Sequence, residues 1–129
     1  MTVTYTIPTI NDRLQGDVTA IDDGGGNGYL VLLNNTGIAL STISLNRPSG
    51  TVNGGVLTFS GTLLDPSAAK TDYATEGRLY NSAGSLRITG LTVGIPLGVE
   101  DILITNGLNS TLISSGQVVS LLSAQITGS

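Results

Sequence analysis

The segment Asp22-Asp23-Gly24-Gly25-Gly26-Asn27-Gly28 has the clearest potential for chemistry in this sequence. Adjacent carboxylates beside an asparagine on a glycine-rich backbone could bind a hard cation through oxygen ligands. The spacing matches no calcium loop, because the alternating acids and the glutamate at the twelfth position are missing. It is also no phosphate loop, since no Lys-Ser or Lys-Thr follows the glycines. We therefore interpret the segment as a glycine-capped helix end and a link into a strand.

Enzymatic chemistry is restricted by what the 129 residues lack, namely His, Cys and Trp. Without His and Cys there is no Ser-His-Asp or Cys-His nucleophile, no imidazole or thiolate metal site and no disulfide. Paired carboxylates could act on sugars, but a single Phe and four Tyr offer few aromatic platforms. We expect no enzyme, no catalytic residue, no cofactor and no metal site. Stacking on a glycan stays possible for the tyrosines, which are Tyr5, Tyr29, Tyr73 and Tyr80.

The charge content predicts the kind of partner. Only 11% of the residues are charged and the net charge is −4, whereas typical soluble domains carry about 25% charged residues. The five basic residues are scattered, so no electropositive stripe is available for phosphates and nucleic acid is excluded as a partner. A surface of Ser, Thr, Asn and Gly suits a protein that docks among other subunits.

Signals for export and for membrane insertion are missing from the sequence. The first basic residue is Arg13, so no basic region precedes an apolar segment as in a signal peptide. Apolar runs are far shorter than the roughly 20 residues of a membrane-spanning helix. We expect a protein that is made in a cytoplasm and has no membrane partner.

Two elements are predicted before the first glycine cluster. Residues 1–9 form an extended arm, because three threonines alternate with apolar residues before Pro8, which cannot donate to a ladder. The candidate docking residues of this arm are Val3, Tyr5 and Ile7. Residues 10–23 form one short helix, because apolar residues recur at spacings of four, four and three. This apolar stripe consists of Ile10, Leu14, Val18 and Ile21.

Residues 10–129 are predicted to form a single domain, in which residues 28–127 have a mainly β pattern. Short apolar or alternating runs separated by glycine and asparagine favour an antiparallel β-sandwich, Ig-like or jelly-roll-like, with about seven strands. The predicted strands are 29–33, 38–45, 56–63, 76–80, 86–93, 102–105 and 118–126, with hairpin turns at 34–37 and 81–84. The polar segment 65–73 is predicted to be an exposed contact loop. Its candidate contact residues are Asp65, Lys70, Asp72 and Tyr73.

The order of several segments resembles that of small phage virion proteins encoded among head genes. These segments are INDRL (10–14), VTAIDDGGGNGYL (18–30), GVLT (55–58), RLYNSAGSLR (78–87), DILITN (101–106) and ISSGQVVSLLSAQIT (113–127). The resemblance implies a non-enzymatic head decoration or cement protein on the capsid surface. Its partners would be the major capsid protein and further copies of itself, in a homo-oligomer such as a trimer. The alternative is a tail or fibre module that binds a host glycan.

Overall fold

The computed structural model describes residues 6–23, 25–59, 63–95, 100–104 and 111–127. The fold is mainly β with one N-terminal helix. In chain order the elements are α1 (Ile7–Asp22), β1 (Tyr29–Leu33), β2 (Ala39–Ser44), β3 (Gly50–Asn53), β4 (Val56–Phe59), β5 (Leu64–Asp65), β6 (Asp72–Tyr73), β7 (Glu76–Tyr80), β8 (Leu86–Gly94), β9 (Ile102–Ile104), β10 (Leu112–Ile113) and β11 (Val119–Thr127).

The helix begins earlier than the sequence pattern predicts. It starts at Ile7 rather than at residue 10, so the predicted arm 1–9 loses its last three residues to the helix. Pro8 lies in the first helical turn, where its missing N–H has no intrahelical partner to lose. Gly16 does not break the helix. The other predicted docking residues, Val3 and Tyr5, lie outside the described residues.

The apolar stripe of the helix is confirmed. Its four members are buried, and they pack into the same core as the strands. The helix ends at Asp22, and the following Asp23 has an extended backbone. The glycine predicted to cap the helix, Gly24, lies outside the described residues.

All seven predicted strand segments contain strands, and two of them, Tyr29–Leu33 and Glu76–Tyr80, have the predicted bounds. The predicted strand 56–63 contains β4, and its residues 60–62 lie outside the described residues. Four further strands are present in the described residues, namely β3 and the two-residue strands β5, β6 and β10. A two-residue strand leaves no periodicity in the sequence, which is why the pattern did not reveal the last three.

The main sheet has the strand order β2-β1-β7-β8-β9-β11-β4-β3, with β5 also paired to β11, and it curls into a half-barrel. A separate pair is formed by β6 and β10. The prediction of a purely antiparallel arrangement is wrong, because β8 and β9 run parallel, with Val93 opposite Ile102. Antiparallel neighbours can be joined by a short turn, but Val93 and Gly94 lie opposite Ile102 and Leu103 in a parallel register. Of the residues that connect the two strands, 96–99 lie outside the described residues.

Both predicted hairpin turns are confirmed, and they share one construction. In the first turn the side-chain oxygen of Asn34 accepts the backbone N–H groups of Thr36 and Ile38, at 3.0 and 2.9 Å. In the second, the oxygen of Asn81 accepts those of Ala83 and Ser85, at 3.1 and 2.9 Å. Glycines 37 and 84 supply the positive φ of +83° and +87° that each turn needs.

Candidate interaction surface

Three segments distant in sequence meet at one place, which we call the loop end. They are the β1–β2 turn (34–38), the segment 64–75 that contains β5 and β6, and the segment 111–118 that contains β10. Polar backbone groups in such loops must find partners or stay in water. The hydrogen bonds between the three segments therefore determine how rigid this end is.

A side-chain hydrogen bond connects the β1–β2 turn to the second segment. The amide nitrogen of Asn34 donates to a carboxylate oxygen of Asp72 at 3.0 Å. The backbone N–H of Tyr73 also donates to this carboxylate, at 2.7 Å. These two contacts, the backbone one first, lower the pKa of Asp72. The charged form of Asp72 is thus part of the connection.

Asp65 corrects the prediction that 65–73 is an exposed loop, because its side chain is buried. One carboxylate oxygen accepts the hydroxyl of Ser41 at 2.7 Å and the backbone N–H of Thr42 at 3.2 Å. The other oxygen accepts the backbone N–H of Ser67 at 3.1 Å. A buried carboxylate is tolerated only with such partners. Asp65 is therefore a structural residue of the loop end.

The third segment binds to the second mainly through its backbone. The N–H of Ala68 donates to the carbonyl of Gln117, and the N–H of Gly116 donates back to the carbonyl of Ala68, both at 2.8 Å. The N–H of Ser115 donates to the hydroxyl of Thr71 at 2.7 Å. Together with the β6–β10 pairing, these bonds join the three segments into one hydrogen-bonded unit.

The loop end carries most of the large apolar side chains that are exposed among the described residues. Among the described residues six such side chains are exposed, and four belong to the loop end: Ile38 (43%), Leu64 (37%), Tyr73 (55%) and Val118 (52%). The other two are Ile7 and Leu86. Scattered apolar residues are normal on a surface, but their concentration on one set of connected loops indicates an interaction surface.

The predicted contact residues separate into two groups. Lys70 and Tyr73 are exposed, whereas Asp72 is half-buried and Asp65 is buried. Sequence reasoning missed the exposed Ile38, Leu64 and Val118, because an apolar residue at the end of a strand resembles a core residue. No local signal distinguishes them, since their exposure depends on what packs against each strand end.

Two surface grooves flank the helix. A groove of about 900 Å³ lies between the last turns of α1, Arg47 and Arg87, and Arg87 forms an ion pair with Asp23 at 3.0 Å. A second groove of about 480 Å³ lies between α1 and the end of β11. Across the ranges that the structure describes, no group of three His, Cys, Asp or Glu side chains could hold a metal ion.

One aromatic pair lies away from the loop end. The rings of Tyr29 and Tyr80, on the neighbouring strands β1 and β7, stack with centroids 5.2 Å apart and an interplanar angle of 10°. Tyr80 is also paired with the exposed Leu86 of β8. This outer sheet face is therefore the second apolar feature of the surface.

Comparison of the chain with family models, with curated proteins and with solved structures gave no match. Within the described residues, α1 is too short and too polar to cross a membrane.

Proposed function

We propose that this chain is a non-enzymatic virion structural protein that decorates and cements a phage capsid. The loop end contacts the major capsid protein, and copies of the chain associate with one another in a closed ring such as a trimer. The protein is made in the cytoplasm of a host bacterium and is located on the capsid surface. It uses no cofactor, and neither nucleic acid nor a membrane is among its partners.

The observation that carries the proposal is the construction of the loop end. Four exposed apolar side chains are mounted on three segments that are bonded to one another, so little ordering entropy opposes their docking. Burying these side chains would gain roughly 25 cal/mol per Å² of apolar surface. Lys70 supplies a single exposed charge beside them, for a partner surface with an acidic residue.

The composition supports the same proposal. With 11% charged residues, the chain lacks the charges that usually keep a free β-protein from pairing with its neighbours. A low charge is tolerable where neighbouring subunits cover the surface. The sequence resembles phage head proteins, and a capsid is an assembly in which neighbouring subunits could cover such a surface.

We also propose that the curled sheet functions as a β-sandwich. Its two halves, β2-β1-β7-β8 and β9-β11-β4-β3, contribute to one apolar cluster that also includes the helix. The halves approach closely at Gly77 of β7, where a Cβ atom would collide with the side chain of Ile102. A sandwich of this kind offers a rigid support for the loop end.

The second candidate is a tail or fibre module that binds a host glycan. It is favoured by the stacked pair of Tyr29 and Tyr80, since tyrosine rings are common platforms for sugars. The pair weakens this alternative as well, because each ring already covers one face of the other. The loop end is therefore the stronger candidate surface.

Gold-labelled antibodies against the purified chain, applied to virions from cells that carry its gene, test the location. Label over the head surface supports the capsid proposal, whereas label on the tail supports the glycan-binding alternative. Virions without label contradict both.

A pair of variants tests the surface itself. Tyr73→Ser combined with Ile38→Ser removes two exposed apolar groups of the loop end, and we expect at least a tenfold weaker binding to undecorated heads. Leu86→Ser is the matched control, because Leu86 is 49% exposed but lies outside the loop end. Equal binding losses in the two proteins would contradict the assignment. Unchanged melting curves would show that both remain folded.

A further inference from the structure

One edge strand of the main sheet, β3, has no backbone hydrogen-bond partner on its outer side among the described residues, although α1 runs alongside it. The sheet ends at β2 on one side and at β3 on the other, and β3 pairs only with β4. Within the described residues, no hydrogen bond joins another segment to Gly50–Asn53. Thr51 and Asn53 are exposed and Val52 is half-buried. Proteins usually cover or charge such an edge, because an unpaired strand binds other strands.

The hairpin register shows which groups point outward. Gly54 and Gly55 have φ values of +58° and +81°, as in a two-residue hairpin turn, with Asn53 opposite Val56. In such a hairpin the residues that flank the turn exchange hydrogen bonds, and the pattern then alternates along the strands. The N–H and C=O of Val52 therefore face away from β4, towards the uncovered side.

The hairpin β3–β4 lacks the residue types that usually prevent another strand from pairing with an edge. Neither strand contains a charged residue or a proline, and residues 49–64 as a whole carry no charge. Lysine and proline on an edge strand commonly prevent the addition of a further strand. Within the described residues, the outer backbone groups of β3 therefore have no partner strand, and the hairpin has no lysine or proline that would prevent one from binding.

The N-terminal segment leaves the described structure beside this hairpin. The side chain of Ile7 lies 3.4 Å from the place where a Cβ of Gly55 would be, and Asn11 accepts the backbone N–H of Gly55 at 2.8 Å. At the other end of α1, Asp22 accepts the N–H of Ser49 at 3.0 Å. The helix thus runs alongside β3 in the opposite direction, and its first residue, Ile7, lies at the hairpin turn.

The sequence of residues 2–5 matches what a free edge binds. Threonine alternates with Val3 and Tyr5, and all of these residue types favour strands. The β3 edge of the same copy lies back along α1, so reaching it would require a reversal at Thr6. The backbone of Thr6 is extended, with φ −72° and ψ 158°. A neighbouring copy is therefore the better partner for this segment.

We propose that residues 2–5 of one copy pair as an added strand with the β3 edge of a second copy. Backbone hydrogen bonds to Val52 give the attraction, and the alternating side chains of the segment set the register. Each copy has one such segment and one such edge, so the exchange closes either as a reciprocal pair or as a ring. This inference rests on the self-association in the proposed function and names the surface responsible.

Crosslinking tests the contact directly, because the natural chain contains no cysteine. In the double variant Thr4→Cys, Thr51→Cys, a short bismaleimide should join separate chains and give products at multiples of the chain mass. The matched control is Thr4→Cys, Ser44→Cys, because Ser44 is an exposed residue of the opposite edge strand β2. We expect no multiples from the control.

Two results would overturn the inference. A closed single-chain product from the Thr51 variant would assign the segment to its own edge, and multiples of equal yield in both variants would show no preference for β3. Deletion of residues 1–5 gives a second measurement, since light scattering should then report a single chain with an unchanged melting temperature.

The failure of the inference can be distinguished from the failure of the proposed function. If the purified chain is multimeric and remains so after the deletion, the arm–edge contact is wrong but self-association stands. If the intact chain is a single species of one-chain mass at every concentration, self-association itself is wrong. Both measurements use the chain without capsids, so neither affects the assignment of the loop end.

Discussion

The two edge strands of the main sheet, β2 and β3, differ in the chain segments that bond to them. At β2 the segment 64–75 folds over the edge, where Asp65 accepts the N–H of Thr42 and the N–H of Ala69 donates to the carbonyl of Leu40. At β3 the helix α1 runs alongside the strand, but no described segment bonds to the outward N–H and C=O of Val52. The chain itself therefore bonds to the outer backbone groups of β2, whereas those of Val52 in β3 have no partner among the described residues.

Replacing Asp65, which lies over the β2 edge, should cause the largest loss of stability. Asp65→Ala removes the acceptor of three hydrogen bonds and leaves the hydroxyl of Ser41 buried without a partner. We expect a loss of about 2–3 kcal/mol in the free energy of unfolding, because buried groups without partners carry a desolvation penalty. Urea denaturation measures the loss. Asp65→Asn should lose less, since the amide keeps one acceptor oxygen. A loss below about 0.5 kcal/mol for the alanine variant, the range of ordinary surface changes, would show that the cover is dispensable.

Glu76 is a second carboxylate with several hydrogen-bond donors, and it lies on the interior strand β7. Like Asp65, its carboxylate has several donors: Arg78 at 3.0 Å, the hydroxyl of Thr89 at 2.6 Å and the N–H of Gly90 at 3.0 Å. These hydrogen bonds, that of Arg78 first, lower the pKa of Glu76 from 4.5 to about 2. Because the side chain is partly exposed, we expect Glu76→Gln to cost only about 1 kcal/mol at pH 7.

The pH dependence of this variant follows from the direction of the shift. A carboxyl whose pKa is lowered by folding stabilises the protein fully above its unfolded pKa and loses that contribution as the pH falls. The difference between the natural chain and Glu76→Gln should therefore be constant above pH 5 and shrink between pH 4.5 and about 2. Melting temperatures recorded across this range measure it. A difference that grows on acidification would contradict the assignment.

The smallest effect on stability should come from charging the two edges. Thr51→Lys on β3 and Thr42→Lys on β2 both place a lysine at an exposed strand position, and each should change the free energy of unfolding by less than about 0.5 kcal/mol. Their effects on self-association should differ. A lysine at Thr51 discourages strand addition at the open edge, whereas the β2 edge is already covered. Sedimentation of the two variants distinguishes them, and equal losses of association would remove the distinction between the edges.

The sequence by itself determined the features that depend on neighbouring residues. Apolar periodicity predicted β7 and the buried face of α1, because burial on one side of a regular element repeats at the period of that element. A continuous apolar run predicted β1, whose last four residues are all buried. The Asn-x-x-Gly pattern predicted both hairpin turns, since asparagine bonds to nearby backbone N–H groups and glycine accepts a positive φ. The helix start was misplaced because Pro8 is compatible with a strand end and with a first helical turn.

Tertiary structure alone decided which surfaces are covered. Asp65 looks like a loop residue in the sequence, and only the approach of β2, 24 positions earlier, makes it a buried acceptor. The loop end likewise joins segments around residues 34, 72 and 115, whose contacts leave no periodic trace in the chain. The parallel pairing of β8 and β9 and the open edge at β3 depend on strand order. Strand order follows from the packing of the whole core, which no local stretch of residues encodes.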